Sequence, residues 1–486
     1  MNRRLITTAL ALAGFAGAQS VEDTVARAQA KSASQKAASA KILADSAIAA
    51  NGEQNEKIQA VDSKIDGLNE DYLATKATVD ALKKFKVSGF VQFQYAYAAD
   101  TNLSGGYSQK QGAWSLRRAR LKFAYDAGNG AQLVWQPNFI ESKFETKDAY
   151  FQYTEQWMKS VYVRAGIQDI PFGFEIGNSS SGMELIERSL YENNSVFNGE
   201  KTLGIMAGYN SANFPINAKI GWMNGQPQQA VTGDWSATQD PKNVVGRLGF
   251  TTAFNDLGLS IDGGASYFYD SKLLTDTAKG GSLKEFRNDS FVTVTGRNRQ
   301  DLNTGIWGLD LQSTYEIPGL GGFKLMGEYY QGKIVGQTGS IKLYTGAAFT
   351  TAEIRNTQGF YIAGVLNPVE FLPQLQLVYR FDYYDPNTDV DGDKIDATRG
   401  FSKTDIAYTT NTIGLNWFVN GNFKISLYYD IKANETTAAP SLDGYKGDAS
   451  RTLVQGATKS GLYTAANDYS SNIDDNILTL RGQVAF

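Results

Sequence analysis

From Val87 to the C-terminus the chain alternates apolar and polar residues with a period of two, in sixteen segments separated by turn-rich stretches. Successive side chains of an extended strand point to opposite faces. The segments lie near 87–97, 114–125, 130–137, 147–154, 160–168, 202–209, 216–223, 244–253, 258–269, 305–316, 323–332, 358–366, 374–384, 409–419, 423–432 and 476–486. An even number of such strands, each apolar on one face only, is the pattern of a closed barrel with lipid outside and water inside. The expected fold class is all-β: a 16-stranded antiparallel transmembrane β-barrel, preceded by a long α-helical coiled coil.

The clearest hairpin places Ile413, Leu415, Trp417 and Val419 on the same face as Phe423, Ile425, Leu427, Tyr429 and Ile431, with Asn420-Gly421 as a tight-turn signal between them. The final strand sets Leu478, Leu480, Val484 and the terminal Phe486 against Thr479, Arg481 and Gln483. Connections alternate short and long, and the long ones include 170–201, 270–304, 333–357, 385–408 and 433–475. Counting back from a periplasmic C-terminus, the barrel is entered from the periplasm at Val87.

Ahead of the barrel, Arg3-Arg4, the apolar run Leu5 to Phe15 and the small residues Ala16-Gly17-Ala18 read as a secretory signal peptide, residues 1–18. No later apolar stretch approaches the roughly 20 residues of a membrane helix. Residues 19–86 read as a periplasmic coiled coil: Ile58, Val61, Ile65, Leu68, Tyr72, Thr75, Val79 and Leu82 alternate steps of three and four, and alanines from Ala26 to Ala47 continue the register. A helix of about 60 residues would extend roughly 90 Å. Residues 87–486 form the barrel domain, and outer-membrane lipid is its expected surround.

The sequence contains no histidine and no cysteine, which removes imidazole bases, thiolate nucleophiles and the commonest zinc ligands. A net charge of −4, which becomes −6 once Arg3 and Arg4 leave with the signal, argues against nucleic acid as a partner. The water-facing side of the strands nevertheless reads as mildly positive. Its cations are Arg118, Arg120, Lys122, Arg164, Lys219, Arg247, Lys324, Arg380, Lys424, Lys432 and Arg481; its acids are Asp148, Asp262, Asp270, Asp310, Glu316, Glu328, Asp382 and Asp430. Arg118, Arg120 and Lys122 fall on one line of the second strand and make a basic ladder, with pairing to Asp148 or to acids of loop 170–201 as the structural alternative. In that loop Glu175, Glu184, Glu187, Glu192 and Glu200 outnumber Arg188 and Lys201, so a loop folded inward would set a transverse field against the ladder. Asp389, Asp391 and Asp393, with Gly392, resemble the start of a calcium loop, although Thr398 stands where the bidentate Glu belongs. Ca2+ is the one metal the sequence raises, and an exposed acidic loop explains the same residues.

Six segments in order, Arg117-Arg-Ala-Arg-Leu-Lys-Phe123, Lys147-Asp-Ala-Tyr-Phe-Gln-Tyr153, Val163-Arg-Ala-Gly166, Ile170-Pro-Phe-Gly-Phe-Glu175, Glu184-Leu-Ile-Glu-Arg-Ser-Leu190 and Leu203-Gly-Ile-Met-Ala-Gly208, resemble the phosphate-selective porin O and P family. The resemblance implies a homotrimeric outer-membrane channel whose third loop and wall arginines, here Arg118, Arg120, Arg164 and Arg188, form an anion-conducting constriction. The expected function is passive diffusion of small hydrophilic solutes with mild anion preference, without enzymatic activity. A structural anchor is the alternative, its stalk spacing the membrane from the cell wall or tethering it to peptidoglycan. The glutamate-rich third loop and the coiled coil depart from the family's best-known channels.

Overall fold

The computed structural model describes residues 21–100, 109–140, 143–194, 200–211, 214–224, 242–274, 282–294, 300–336, 348–349, 351–368, 372–395, 399–401, 403–437, 472 and 476–486. The signal-peptide segment, Thr398 and most of 433–475 lie outside them. The chain separates at Lys83/Lys84 into two compact units.

The first unit is one helix, α1 (Val21–Lys83), 63 residues long. Its alanine, lysine, glutamate and glutamine content favours the helical backbone, and Pro is absent from it. From Ala26 onward every residue is exposed, including the seam residues Ile58, Val61 and Ile65 at 56%, 52% and 55%. A helix that buries no apolar face of its own has little beyond propensity to hold it.

The second unit is a closed barrel of sixteen antiparallel strands: β1 (Phe85–Asp100), β2 (Gln109–Gly128), β3 (Ala131–Ile140), β4 (Lys143–Thr154), β5 (Val161–Asp169), β6 (Lys201–Asn210), β7 (Ile216–Asn224), β8 (Lys242–Phe254), β9 (Leu259–Leu274), β12 (Gln300–Ile317), β13 (Gly321–Gly336), β15 (Thr351–Pro368), β16 (Leu375–Asp385), β17 (Tyr408–Phe418), β18 (Phe423–Asn434) and β19 (Ile477–Ala485). Closure comes from β1 pairing with β19, with Val91 opposite Val484 and Tyr97 opposite Leu478. Exposed Leu133, Ile205, Ile220, Trp222, Leu248, Ile362 and Ile413 mark the outer face, while Gln94, Arg118, Asp310, Arg380 and Arg481 of other strands in the ring are buried inside. All sixteen strands occur in the order read from the sequence, most of them longer at one or both ends, a few shifted by one residue, and the last running 477–485 rather than 476–486.

Three short strands add to the ring. Within the β9–β12 connection, β10 (Ser282–Arg287) and β11 (Ser290–Val294) form a hairpin whose first strand runs parallel to the start of β15, Ser282 opposite Thr351; β14 (Ala348–Phe349) pairs with the end of β9. The hairpin turns at Asn288-Asp289, both with positive φ (51° and 59°), the geometry of a type I′ turn. By contrast, Asn420-Gly421 does not make the two-residue turn its sequence suggests. The Asn420 carboxamide oxygen accepts the N–H groups of Asn422 and Phe423, both at 2.8 Å, and this side-chain cap builds a longer connection from 419 to 422.

Candidate functional site: the loop-filled lumen

The described part of the β5–β6 loop, residues 170–194 and 200, lies inside the barrel. An irregular segment there must find partners for its own backbone polar groups, and wall side chains supply them. Gln92 and Gln483 donate to the carbonyls of Ser180 and Ser181, Lys424 to that of Met183, Asn416 to that of Glu184 and Arg380 to that of Glu187, at 2.8 to 3.2 Å. These donors sit on β1, β16, β17, β18 and β19, so the middle of the loop is laced to one side of the barrel.

The first turn of the loop is fastened to other strands, β9 and β13. Gly173 N–H donates to Ser266 Oγ of β9 at 3.0 Å, and Phe174 and Glu175 N–H both donate to the Glu328 carboxylate of β13 at 3.1 and 2.5 Å. Tyr330 and Tyr361 hydroxyls complete that carboxylate's shell at 2.5 and 2.9 Å. Gly173 has φ +62°, and a Cβ there would come 2.3 Å from Glu328 Oε2, so both backbone conformation and space call for glycine. An aromatic column follows. Phe172 stacks on Tyr330 at 5.8 Å, Tyr191 on Tyr330 at 4.2 Å, and Tyr191 meets Tyr384 edge-on at 5.8 Å. Wall glycines make room for it, since Cβ atoms at Gly308 and Gly359 would lie 2.9 and 2.7 Å from the Phe172 and Tyr191 rings. Tyr191 belongs to α2 (Leu190–Asn194), whose first N–H donates to Asp382 Oδ2 at 2.8 Å.

The basic ladder is present but not free. The β1–β2 register skips one residue, Gln92 lying opposite Arg118 and Phe93 opposite Leu116, so Arg117 is a β-bulge and turns inward beside Arg118. Glu187 accepts from Arg117 Nε and Nη2 at 2.9 and 2.8 Å, from Arg118 Nη2 at 3.3 Å and from Arg481 Nη2. Glu200 bridges Arg120 at 3.4 Å and Arg188 at 3.2 Å. Glu184 pairs with Lys324 at 2.6 Å, and Glu175 accepts Ser189 N–H and Oγ–H at 2.9 and 2.7 Å. Lys122 continues the ladder's face, half-buried and without an ion pair among the described residues.

The transverse field expected from the sequence is therefore corrected: Glu187 and Glu200 touch Arg118 and Arg120 rather than face them across water, while Glu184 and Glu175 find partners elsewhere. Burial and pairing set their charge. Burial would raise the Glu187 carboxyl, but Arg117, Arg481 and Arg118 outweigh it and hold it well below the carboxylate range. Glu200 is likewise held low against burial, by Arg188, Lys147 and Arg120. Arg188, bonded also to the carbonyls of Glu175 and Asn178, keeps its proton more firmly than a free arginine, because Glu200, Glu192 and Glu175 outweigh its burial. Glu192 is pushed up to about 8, chiefly by burial, with Glu200 and Glu175 adding to it against Arg188.

Opposite the laced side, a cavity of about 430 Å³ remains between the loop's first turn and β5–β9. Arg164, Lys219 and Arg247 line it together with Asp169, Asp262, Asn217, Tyr162, Met206, Ile170, Pro171 and Phe174. Arg247 is neutralised by Asp310, with bonds of 3.0 and 2.6 Å. Asp169 is paired with Lys201 at 2.5 Å. Among the described residues, the Arg164 guanidinium has only the neutral Gln152 carboxamide oxygen as an acceptor, at 3.1 and 2.8 Å, and lies over the Tyr150 ring at 4.2 Å. Lys219 has no ion-pair partner among the described residues.

The carboxylates of Asp389, Asp391 and Asp393 do not converge. Asp389 accepts both its bonds from Asn356 at 2.9 Å, and no group of three or more acidic side chains among the described residues is placed to hold a metal ion. The acidic-loop account of these residues fits, because the Asp389 side chain fastens its loop to β15.

A sixteen-stranded barrel with an inward third loop and a charged, partly open lumen is a porin of the outer membrane, a channel for solute diffusion. The chain belongs to the phosphate-selective porin O and P family, whose profile matches residues 85–455. Among solved structures, OprB of Pseudomonas putida is similar at a TM-score of 0.52, with 11% identity over 84% of this chain and 96% of that one. An anion-selective porin from Comamonas acidovorans gives a TM-score of 0.48 with 14% identity over 83% and 99%. The outer-membrane channel DcaP of Acinetobacter baumannii gives 0.47 with 13% identity over 83% and 97%. No curated protein matches the chain.

Proposed function

We propose that the barrel passes small hydrophilic solutes with a mild preference for anions, through the passage between loop 170–200 and β5–β9 rather than along the basic ladder. The observation that carries this is the pairing of Lys219 directly opposite Arg247 in the β7–β8 register. Like charges in opposite positions destabilise a sheet, and Asp310 compensates only the arginine. With Arg164 also lacking a carboxylate among the described residues, two cations face the lumen without an ion pair. Rings of such charge in a low-dielectric wall favour anions. The test is the reversal potential of the full-length protein in a planar bilayer under a KCl gradient. The wild type is expected to prefer chloride, and Arg164→Gln/Lys219→Gln to bring the chloride-to-potassium ratio close to one. An unchanged ratio in the double variant would overturn this route.

The N-terminal part of the reading is a proposal from the sequence of residues 1–83. It comprises a cleaved signal peptide, a homotrimer, and a periplasmic stalk in which three copies of the helix zip along the Ile58–Leu82 seam. Supporting it are the heptad spacing and the exposure of that seam over the whole helix. The anchor reading is kept for the same element, because 63 helical residues extend about 95 Å, enough to reach towards peptidoglycan. Deleting residues 21–83 separates the roles: conductance persists under both, while loss of envelope attachment is expected only if the stalk is a tether.

A further inference from the structure

We propose that the solute class this passage favours is a monocarboxylate with a flat apolar body, such as an aromatic carboxylate, over inorganic phosphate; the proposal rests on the passage being the conducting route. Across β5 to β8 the register aligns Tyr162, Gly208, Lys219 and Arg247 in one row. A Cβ at Gly208 would come 2.2 Å from Tyr162 Cζ, so the missing side chain lets the tyrosine ring lie across the row toward the lysine. Arg164 sits 5.7 Å from the same ring, with Nε and Nη2 committed to Gln152 and Nη1 without a hydrogen bond among the described residues. One wall thus joins an aromatic face to two uncompensated cations.

Facing that wall, the loop contributes Ile170, Pro171 and Phe174. A compact phosphate needs donors on every side to replace its water, and apolar loop residues cannot supply them. Asp169 and Asp262 also line the cavity and repel a dianion about twice as strongly as a monoanion. A carboxylate on a ring answers both halves of the lining. Its charged end meets Lys219 and Arg164, while its body lies between the Tyr162 and Phe174 rings. Offset aromatic contact of this kind is worth about 0.5–1.5 kcal/mol, or roughly a two- to tenfold preference.

The experiment measures reversal potentials of the full-length protein with potassium benzoate, acetate and phosphate, each against KCl. Free diffusion alone would place benzoate below the smaller acetate. The expected result is the reverse, benzoate above acetate by about two- to tenfold and phosphate last, with Tyr162→Ala or Phe174→Ala returning the benzoate-to-acetate ratio to its free-solution value. An order that follows free mobility, or phosphate ahead of benzoate, would overturn the proposal while leaving a chloride preference intact. Absence of any chloride-over-potassium preference in the wild type would instead remove the reading beneath it. The wild-type order decides the matter even where a variant does not fold.

Discussion

Glu187 holds Arg117 in a two-bonded fork, Nε and Nη2 donating to its two oxygens at 2.9 and 2.8 Å, and it does so only because a β-bulge turns Arg117 into the lumen. Three guanidiniums share this one carboxylate. Glu187→Gln leaves them mutually repelling in a poorly hydrated site, which costs on the order of 3 kcal/mol. The expected outcome is a lower urea midpoint for the folded barrel and noisier single-channel current as the loop loosens. Arg117→Gln/Glu187→Gln removes one cation together with the acid and is expected to recover part of the loss. Equal midpoints for wild type and Glu187→Gln would contradict the clamp.

Glu328 anchors the first turn of the same loop through two backbone N–H groups and two tyrosine hydroxyls. A glutamine offers one acceptor oxygen and an amide that must face a donor. Glu328→Gln is therefore expected to release residues 173–175 from β13 and widen the passage, raising single-channel conductance by a measurable fraction. Gly173→Ala forces a Cβ into the same carboxylate and is expected to act in the same direction. Conductance identical to wild type in both variants would show that the turn does not limit the passage.

The ring of strands was legible because alternation is a local signal: each strand declares its two faces within ten residues. The partners of the wall charges were not. Glu187 and Arg481 are 294 positions apart, and nothing near either names the other. Two features did leave a local trace that the period-two reading passed over. Arg117 falls on the apolar side of an unbroken alternation, where a charge facing lipid is costly, so adjacent inward arginines already imply a bulge. Asn288-Asp289 between the runs 282–287 and 290–294 pairs two residue types that tolerate positive φ, although neither run alternates strictly. The passage cations Arg164 and Lys219 were both on the inward face by sequence; what singled them out was the absence of a carboxylate, which only the folded loop determines.

Glu192 gives the loop a response to alkali. The folded protein holds the proton on this carboxyl up to about pH 8, against an ordinary value of 4.5. Its raised affinity therefore contributes stability in full below about pH 4.5, and that contribution is withdrawn as the pH rises through about 8. Arg188, Glu200, Glu175 and Arg118 are the charges that face it. Current noise is expected to grow between pH 7 and 9 in the wild type and to be flat in Glu192→Gln, measured in bilayers at fixed salt. A variant that keeps the wild-type pH dependence would assign the response to another group.

Arg355 fastens three long-loop segments at once. Its side chain is fully buried, pairs with Glu353 on its own strand and with Asp405 at 2.9 Å, bonds Thr404 Oγ1 at 3.0 Å, and lies over the Phe291 ring of the β10–β11 hairpin at 4.9 Å. Lys284 of that hairpin reaches Glu353 at 3.0 Å, and Phe286, Phe291 and Phe401 pack edge to face around the junction. Arg355→Ala takes a buried cation from both Glu353 and Asp405 and from the ring it lies over, so the junction loses roughly 3–5 kcal/mol. The sixteen-stranded ring does not depend on it, because every ring strand keeps both neighbours. The expected outcome is protease cleavage near Asn288-Asp289 in the variant under conditions where the wild-type hairpin resists, with the barrel's heat-resistant migration preserved. Cleavage of wild type and variant at the same rate would show that the hairpin opens without breaking this junction.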